Sequence, residues 1–212
     1  MVMTNHSTVP LIVCFGDSLT VGYQSPTDCI PMYQETPYGR FLQERLGSRG
    51  QVVVRGVSGE LTCDMRKRFR RDVLDCAPAY VVVLGGTNDL GWNVEPQVIL
   101  QNLKDMYERA LNAGVQPVGM TVPSIRIETN TSQERTWVQR SIELRHELNR
   151  FILDSFSQWK MPCIDLFTAT RETESHLLAD RFSNDGLHLS TEGYQLIATL
   201  LWEQVFTEWV GS

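Results

Sequence analysis

Ser18 stands in the string Gly16-Asp17-Ser18-Leu19-Thr20, directly after the apolar run Leu11 to Phe15, and a hydroxyl so placed is a candidate nucleophile. A serine behind a strand also serves as a helix cap or turn residue, and from this string alone that use is the commoner one. A candidate base lies far along the chain, in Ser183-Asn184-Asp185-Gly186-Leu187-His188-Leu189-Ser190. An aspartate three positions ahead of a histidine in a tight turn can reach the imidazole Nδ1, which fixes the tautomer that leaves Nε2 free as a base. The other three histidines read as solvated residues: His6 in the polar N-terminal stretch, His146 in a charged helical segment and His176 in a Glu-rich one. No H-E-x-x-H or comparable cluster occurs, so neither a catalytic metal nor another cofactor is expected.

Two more apolar runs end in small or polar residues, Gly56-Val57-Ser58-Gly59-Glu60 and Gly85-Gly86-Thr87-Asn88-Asp89. Glycines at such ends make turns, and they also let backbone N–H groups converge on an anion. Asn88 adds a neutral side chain able to donate toward a developing oxyanion. Asp17 and Asp89 stand next to these residues and are read as scaffold hydrogen-bonders.

The elements that must position these groups follow from the hydrophobic pattern. Five short apolar runs, Leu11 to Phe15, Val52 to Val54, Tyr80 to Leu84, Val115 to Met120 and Met161 to Asp165, alternate with stretches of helical period. One such stretch opens at Pro96, carries Ile99, Leu103, Met106, Tyr107 and Ala110 as its apolar stripe, and closes at Gly114. Another opens with Thr131 and Glu134 at capping-box spacing and carries Leu144, Leu148, Phe151 and Ile152. A last helix opens near Ser190 and buries Tyr194, Ile197, Ala198, Leu201 and Val205. This rhythm predicts an α/β fold, a three-layer α/β/α sandwich around a parallel five-stranded sheet, with ligands at the carboxyl ends of the strands. Two long loops, Tyr23 to Pro37 and Val122 to Gln133, follow strand ends there and are candidate binding walls.

Length and composition predict one domain over residues 1–212, since 42% hydrophobic and 21% charged residues are ordinary for a globular protein and nothing marks a linker. The formal net charge of -6 disfavours nucleic acid and anionic membrane surfaces as partners. The basic run Arg66 to Arg71 is expected to be a solvated helix face, with Met65, Phe69 and Val73 turned inward. Five scattered cysteines without C-x-x-C spacing suggest neither a disulfide framework nor a zinc site. No signal peptide or membrane span is legible, so a cytoplasmic location without stable membrane association is the expectation; a secreted form trimmed of its leader would look the same.

Taken together, Gly16-Asp17-Ser18-Leu19, Gly59, Gly86-Thr87-Asn88-Asp89 and Asp185-Gly186-Leu187-His188 resemble, in order, the sequence blocks of the SGNH or GDSL hydrolases. The resemblance implies a flavodoxin-like sandwich and a metal-free serine esterase. It assigns Ser18 as nucleophile, His188 as base, Asp185 as its orienter, and the Ser18 N–H, Gly59 N–H and Asn88 Nδ2 as oxyanion donors. One departure is Val54-Arg55, where the second block often has an asparagine before its first glycine. The expected substrate is a small carboxylic ester, with short acyl chains preferred and acetyl esters of carbohydrates among them. Lysophospholipids and thioesters are alternatives on the same site, and a non-enzymatic flavodoxin-like binding module is the alternative outside catalysis. An α/β-hydrolase would instead carry G-x-S-x-G, which does not occur. Tyr23, Met32, Tyr33, Trp92 and Ile125 are the candidate pocket walls, although Trp92 is equally readable as packing on the sheet edge.

Overall fold

The computed structural model describes residues 9–207; His6 and the rest of the N-terminal stretch before Val9 lie outside the described residues. The chain runs β1 (Leu11–Gly16), α1 (Ser18–Val21), β2 (Tyr23–Gln24), β3 (Gln34–Glu35), α2 (Tyr38–Leu46), β4 (Gln51–Gly56), α3 (Thr62–Asp72), β5 (Tyr80–Leu84) and α4 (Thr87–Gly91). It continues through α5 (Pro96–Asn112), β6 (Gln116–Met120), α6 (Ser132–Trp159), β7 (Cys163–Ile164), α7 (Leu166–Thr170) and α8 (Thr191–Leu201), ending in a π-helical turn over Trp202–Phe206.

Five strands form one parallel sheet in the order β4-β1-β5-β6-β7. Alternation along β1 sends Ile12 and Cys14 to one face and Val13 and Phe15 to the other, and all four are fully buried. The first face packs on Leu42 of α2 and on Tyr194, Ile197 and Leu201 of α8. The second packs on Met65 and Phe69 of α3, on Ile99 and Met106 of α5, and on Leu148 and Phe156 of α6. The result is the expected three-layer α/β/α sandwich. Pro96 begins α5, and Thr131 and Glu134 close the capping box of α6.

Three local expectations change in the folded chain. Only Cys163–Ile164 of the fifth apolar run pairs as strand. The π-helical turn adds a residue to the last turn, so that Phe206 is buried and Val205 only half-buried.

The basic run is not solvated throughout. Lys67, Arg70 and Arg71 are solvated, but Arg68 is 8% exposed. It shares the inward side of α3 with Met65 and Phe69, where hydrocarbon alone would leave the Glu60 carboxylate unpaired. Its Nε donates to Glu60 at 2.8 Å, Nη1 to Asp72 at 3.0 Å and to the Arg55 carbonyl at 3.0 Å, and Nη2 to the Gly16 carbonyl at 2.9 Å. The guanidinium also lies 4.1 Å from the Phe15 ring centre. Arg68 thus ties the end of β1 to the segment that follows β4.

Candidate active site

Because β4, β1 and β5 are neighbours, the segments following them meet at one edge of the sheet, where the chain's crossovers depart in opposite directions from β1. The turn out of β1 is tight: a Cβ on Gly16 would lie 2.1 Å from the Leu84 carbonyl oxygen, so no larger residue fits. Asp17 then caps α1, accepting from the Leu19 N–H at 2.9 Å, and Ser18 is the first residue of that helix.

His188 reaches this point from the other end of the chain. Its Nε2 lies 3.1 Å from Ser18 Oγ, and its Nδ1 lies 2.7 Å from Asp185 Oδ2. The Asp185 Oδ1 accepts the Leu187 and His188 N–H groups at 2.9 and 2.7 Å, which folds the turn that presents the imidazole. Gly186 sits in this turn at φ +78°, and a Cβ there would fall 1.5 Å from the Arg126 carbonyl oxygen. Its own carbonyl accepts the Arg126 N–H at 2.8 Å, so the turn is latched to the loop after β6.

Ser25 was not among the residues singled out by sequence. It donates to Asp185 Oδ2 at 2.5 Å from the loop after β2. Burial raises the Asp185 carboxyl, but the hydrogen bonds from His188, Ser25 and the two backbone N–H groups outweigh it and hold the group well below the usual carboxylate range. Asp185 is therefore an anion beside Nδ1, the arrangement that stabilises an imidazolium. The Tyr23 ring packs edge-on to His188 with centres 4.6 Å apart, and Tyr33 stacks on Tyr23 at 5.9 Å.

Three donors face the same edge. Asn88 Nδ2 gives one hydrogen to the Glu60 carbonyl at 3.0 Å, and its second points only weakly at Asp17, 3.4 Å away. The backbone N–H groups of Ser18 and Gly59 have no acceptor among the described residues. Donors held in place and left without partners are what an oxyanion requires.

Asp17 and Asp89 serve as scaffold. Asp89 accepts from the Thr62 N–H at 3.0 Å and the Thr62 hydroxyl at 2.6 Å, holding the start of α3. Burial pushes its carboxyl up. Asp17 is fully buried, and its carboxyl is pushed up to about 7 by burial, against the opposing pull of the Leu19 N–H and of His188.

Beside Asn88 opens a cavity of about 220 Å³ lined by Thr87, Gly91, Trp92, Ile125, Ile127, Trp137, Ser141, Arg145 and Leu187. Of the predicted walls, Trp92 and Ile125 belong to it. Trp92 is 76% exposed, so it is not packed on the sheet edge. Tyr23 and Tyr33 lie instead on the His188 side, and Met32 borders a separate groove with Gln24, Ser25 and Ile30. Met32 is exposed on the loop that joins the paired strands β2 and β3. Ile127, Trp137 and Arg145 were missed: the last two stand on α6, whose apolar pattern marks the core face and not its rim. Of the other histidines, His146 is exposed, while His176 is half-buried against Arg171 and within 5.4 Å of the His146 ring. All five cysteines are free, and among the described residues no three His, Cys, Asp or Glu side chains converge as metal ligands would. No described helix is long and apolar enough to cross a membrane.

A parallel sheet between two helical layers, with Ser18, His188 and Asn88 gathered at its carboxyl edge, defines a three-layer α/β/α sandwich with a polar site at the strand ends. The model of the GDSL-like lipase/acylhydrolase family matches residues 14–196, and the chain belongs to that family. An uncharacterized lipoprotein of Bacillus subtilis, YqeF, is 31% identical over 116 residues, covering 52% of this chain and 47% of that protein; the match thus spans about half the length of the relative. Among solved structures, a GDSL-like lipase from Bacteroides thetaiotaomicron is similar with a TM-score of 0.74 and 22% identity, over 94% of this chain and 89% of that one. A lipase/acylhydrolase from Enterococcus faecalis gives 0.73 and 25% identity, over 94% and 96%. A carbohydrate acetylesterase from Sinorhizobium meliloti gives 0.73 and 18% identity, over 94% and 99%.

Proposed function

We propose that this protein hydrolyses small carboxylic esters through an acyl-enzyme on Ser18. The observation that carries the reading is the unbroken relay from Asp185 to His188 to Ser18, at 2.7 and 3.1 Å. His188 Nε2 takes the hydroxyl proton as Ser18 Oγ attacks the ester carbonyl, and Asp185 stabilises the imidazolium. The tetrahedral oxyanion is held by the Ser18 and Gly59 N–H groups and the second hydrogen of Asn88 Nδ2. His188 returns the proton to the leaving alcohol, then activates the water that frees the acid.

Short acyl chains are favoured because the cavity beside Asn88, about 220 Å³, is smaller than the roughly 300–1,000 Å³ of pockets for drug-sized ligands. Acetyl esters of carbohydrates are within this class, as the name of the similar Sinorhizobium meliloti enzyme suggests. The test is hydrolysis of p-nitrophenyl esters from acetate to laurate, with fluorophosphonate labelling, by wild type and Ser18→Ala. Turnover and labelling in the wild type alone, fastest at short chains, are expected. Equal turnover by Ser18→Ala would exclude the nucleophile, and a rate maximum at laurate would exclude the short-chain reading. Absence of both turnover and label would favour a binding module.

A further inference from the structure

Arg145 is a buried cation without a counter-ion among the described residues, and it lines the cavity beside Asn88. It is 3% exposed, on α6, and its Nη1 donates only to the Ser141 carbonyl one turn back, at 3.2 Å. Its Nε has no hydrogen-bond partner, and none of the ion pairs among the described residues includes it. Burial draws the guanidinium down to about 10, which leaves it charged at neutral pH. The contrast with Arg68 is direct: that buried arginine is neutralised by Glu60 and Asp72, whereas no described carboxylate pairs with Arg145. A buried charge is ordinarily paired because its desolvation is so costly.

A second orphan shares the cavity. Thr87 Oγ1 is buried without a hydrogen-bond partner, one residue before Asn88. A cation and a hydroxyl-bearing residue, each with a buried unsatisfied atom, thus belong to the lining of a small space whose other walls include Trp92 and Ile125. A planar guanidinium with free N–H groups is matched by a carboxylate.

The direction of entry follows from the relay. The leaving alcohol has to meet His188 Nε2, and His188 does not line this cavity. The acyl portion is the part of the ester that extends past Asn88 into it. We infer that the preferred substrate is an ester whose short acyl chain ends in a carboxylate, the half-ester of a small dicarboxylic acid, paired with Arg145. This rests on the esterase reading above and names its substrate class.

The experiment compares monoethyl succinate with ethyl butyrate by acid release, and measures succinate binding by calorimetry, in wild type, Arg145→Met and Arg145→Lys. Wild type is expected to favour monoethyl succinate in kcat/KM by roughly 10- to 100-fold, the worth of one hydrogen-bonded charge pair. The preference should vanish in Arg145→Met and return in part in Arg145→Lys. A ratio of two substrates is insensitive to how much of a variant folds, and the wild-type ratio decides the matter if no variant can be prepared. Hydrolysis of both esters at equal kcat/KM by wild type would overturn the anionic substrate and leave the esterase standing. Hydrolysis of neither these esters nor the p-nitrophenyl series, with succinate bound by wild type and not by Arg145→Met, would overturn the esterase and keep the anion site. No hydrolysis of any of these esters, with no succinate bound, would overturn both. A preference for acetoxyacetate over both esters would move the carboxylate to the alcohol side and overturn the acyl assignment.

Discussion

Ser25 Oγ donates to the Asp185 carboxylate at 2.5 Å, on the same oxygen that faces His188 Nδ1. The hairpin loop after β2 is thereby joined to the acid and base turn 160 residues away. The carboxylate is held by the Ser25 hydroxyl and the imidazole on one oxygen and by two backbone N–H groups on the other, which also has the Ser183 hydroxyl at 3.4 Å.

Ser25→Ala leaves the other bonds to Asp185 in place, so turnover is expected to fall by about tenfold or less, a fraction of the worth of one hydrogen bond to a charged group. Asp185→Ala removes the anion beside Nδ1 and should cost on the order of 10⁴-fold. Steady-state kinetics on a short-chain ester check both. A nearly silent Asp185→Ala would assign the orienting of His188 to some other group.

Asn88→Ala removes one of three oxyanion donors, and a loss of about 10²- to 10³-fold in kcat is expected, with residual activity above that of Ser18→Ala. KM should change little, since the bond strengthens in the transition state. Full activity in Asn88→Ala would refute the oxyanion role.

Asp17 gives a pH dependence of stability. Its carboxyl is raised to about 7 in the folded chain, chiefly by burial, against a reference of 3.8. The folded state therefore favours the proton: this contribution is complete below about pH 4 and is lost as pH rises through 7. Asp17→Asn keeps a cap for α1 and carries no charge. The variant should gain on wild type between pH 4 and 8, by on the order of 2–4 kcal/mol at the upper end. Urea unfolding across that range measures it, and parallel curves for the two proteins would rule out the burial cost.

Arg68→Met should destabilise the fold by about 3–5 kcal/mol, because it strands the largely buried Glu60 and Asp72 carboxylates. Activity should drop as well, since Arg68 anchors the residue after Gly59 and the carbonyl of Gly16. Thermal unfolding and turnover together test this; an unchanged melting temperature would show that the network contributes nothing net.

The sequence by itself determined whatever is encoded over a few residues. Short continuous apolar runs marked the strands, and helical periods marked the stripes of α5 and α6, because a strand buried on both faces is apolar throughout while a helix is apolar on one side. The capping box at Thr131 and the reach of Asp185 to His188 are bonds across three residues, so residue type and spacing suffice. The ordered blocks pointed to the partners Ser18, Gly59 and Asn88, but only the sheet order β4-β1-β5 makes them neighbours, since a hydrophobic pattern says which face a strand buries and not which strand lies beside it. The tertiary structure alone decided the long-range polar contacts. Arg68 and Arg145 read alike in sequence as charged residues on helices. One is buried with two carboxylates and the other with none among the described residues, and that difference is set by elements that arrive from elsewhere in the chain.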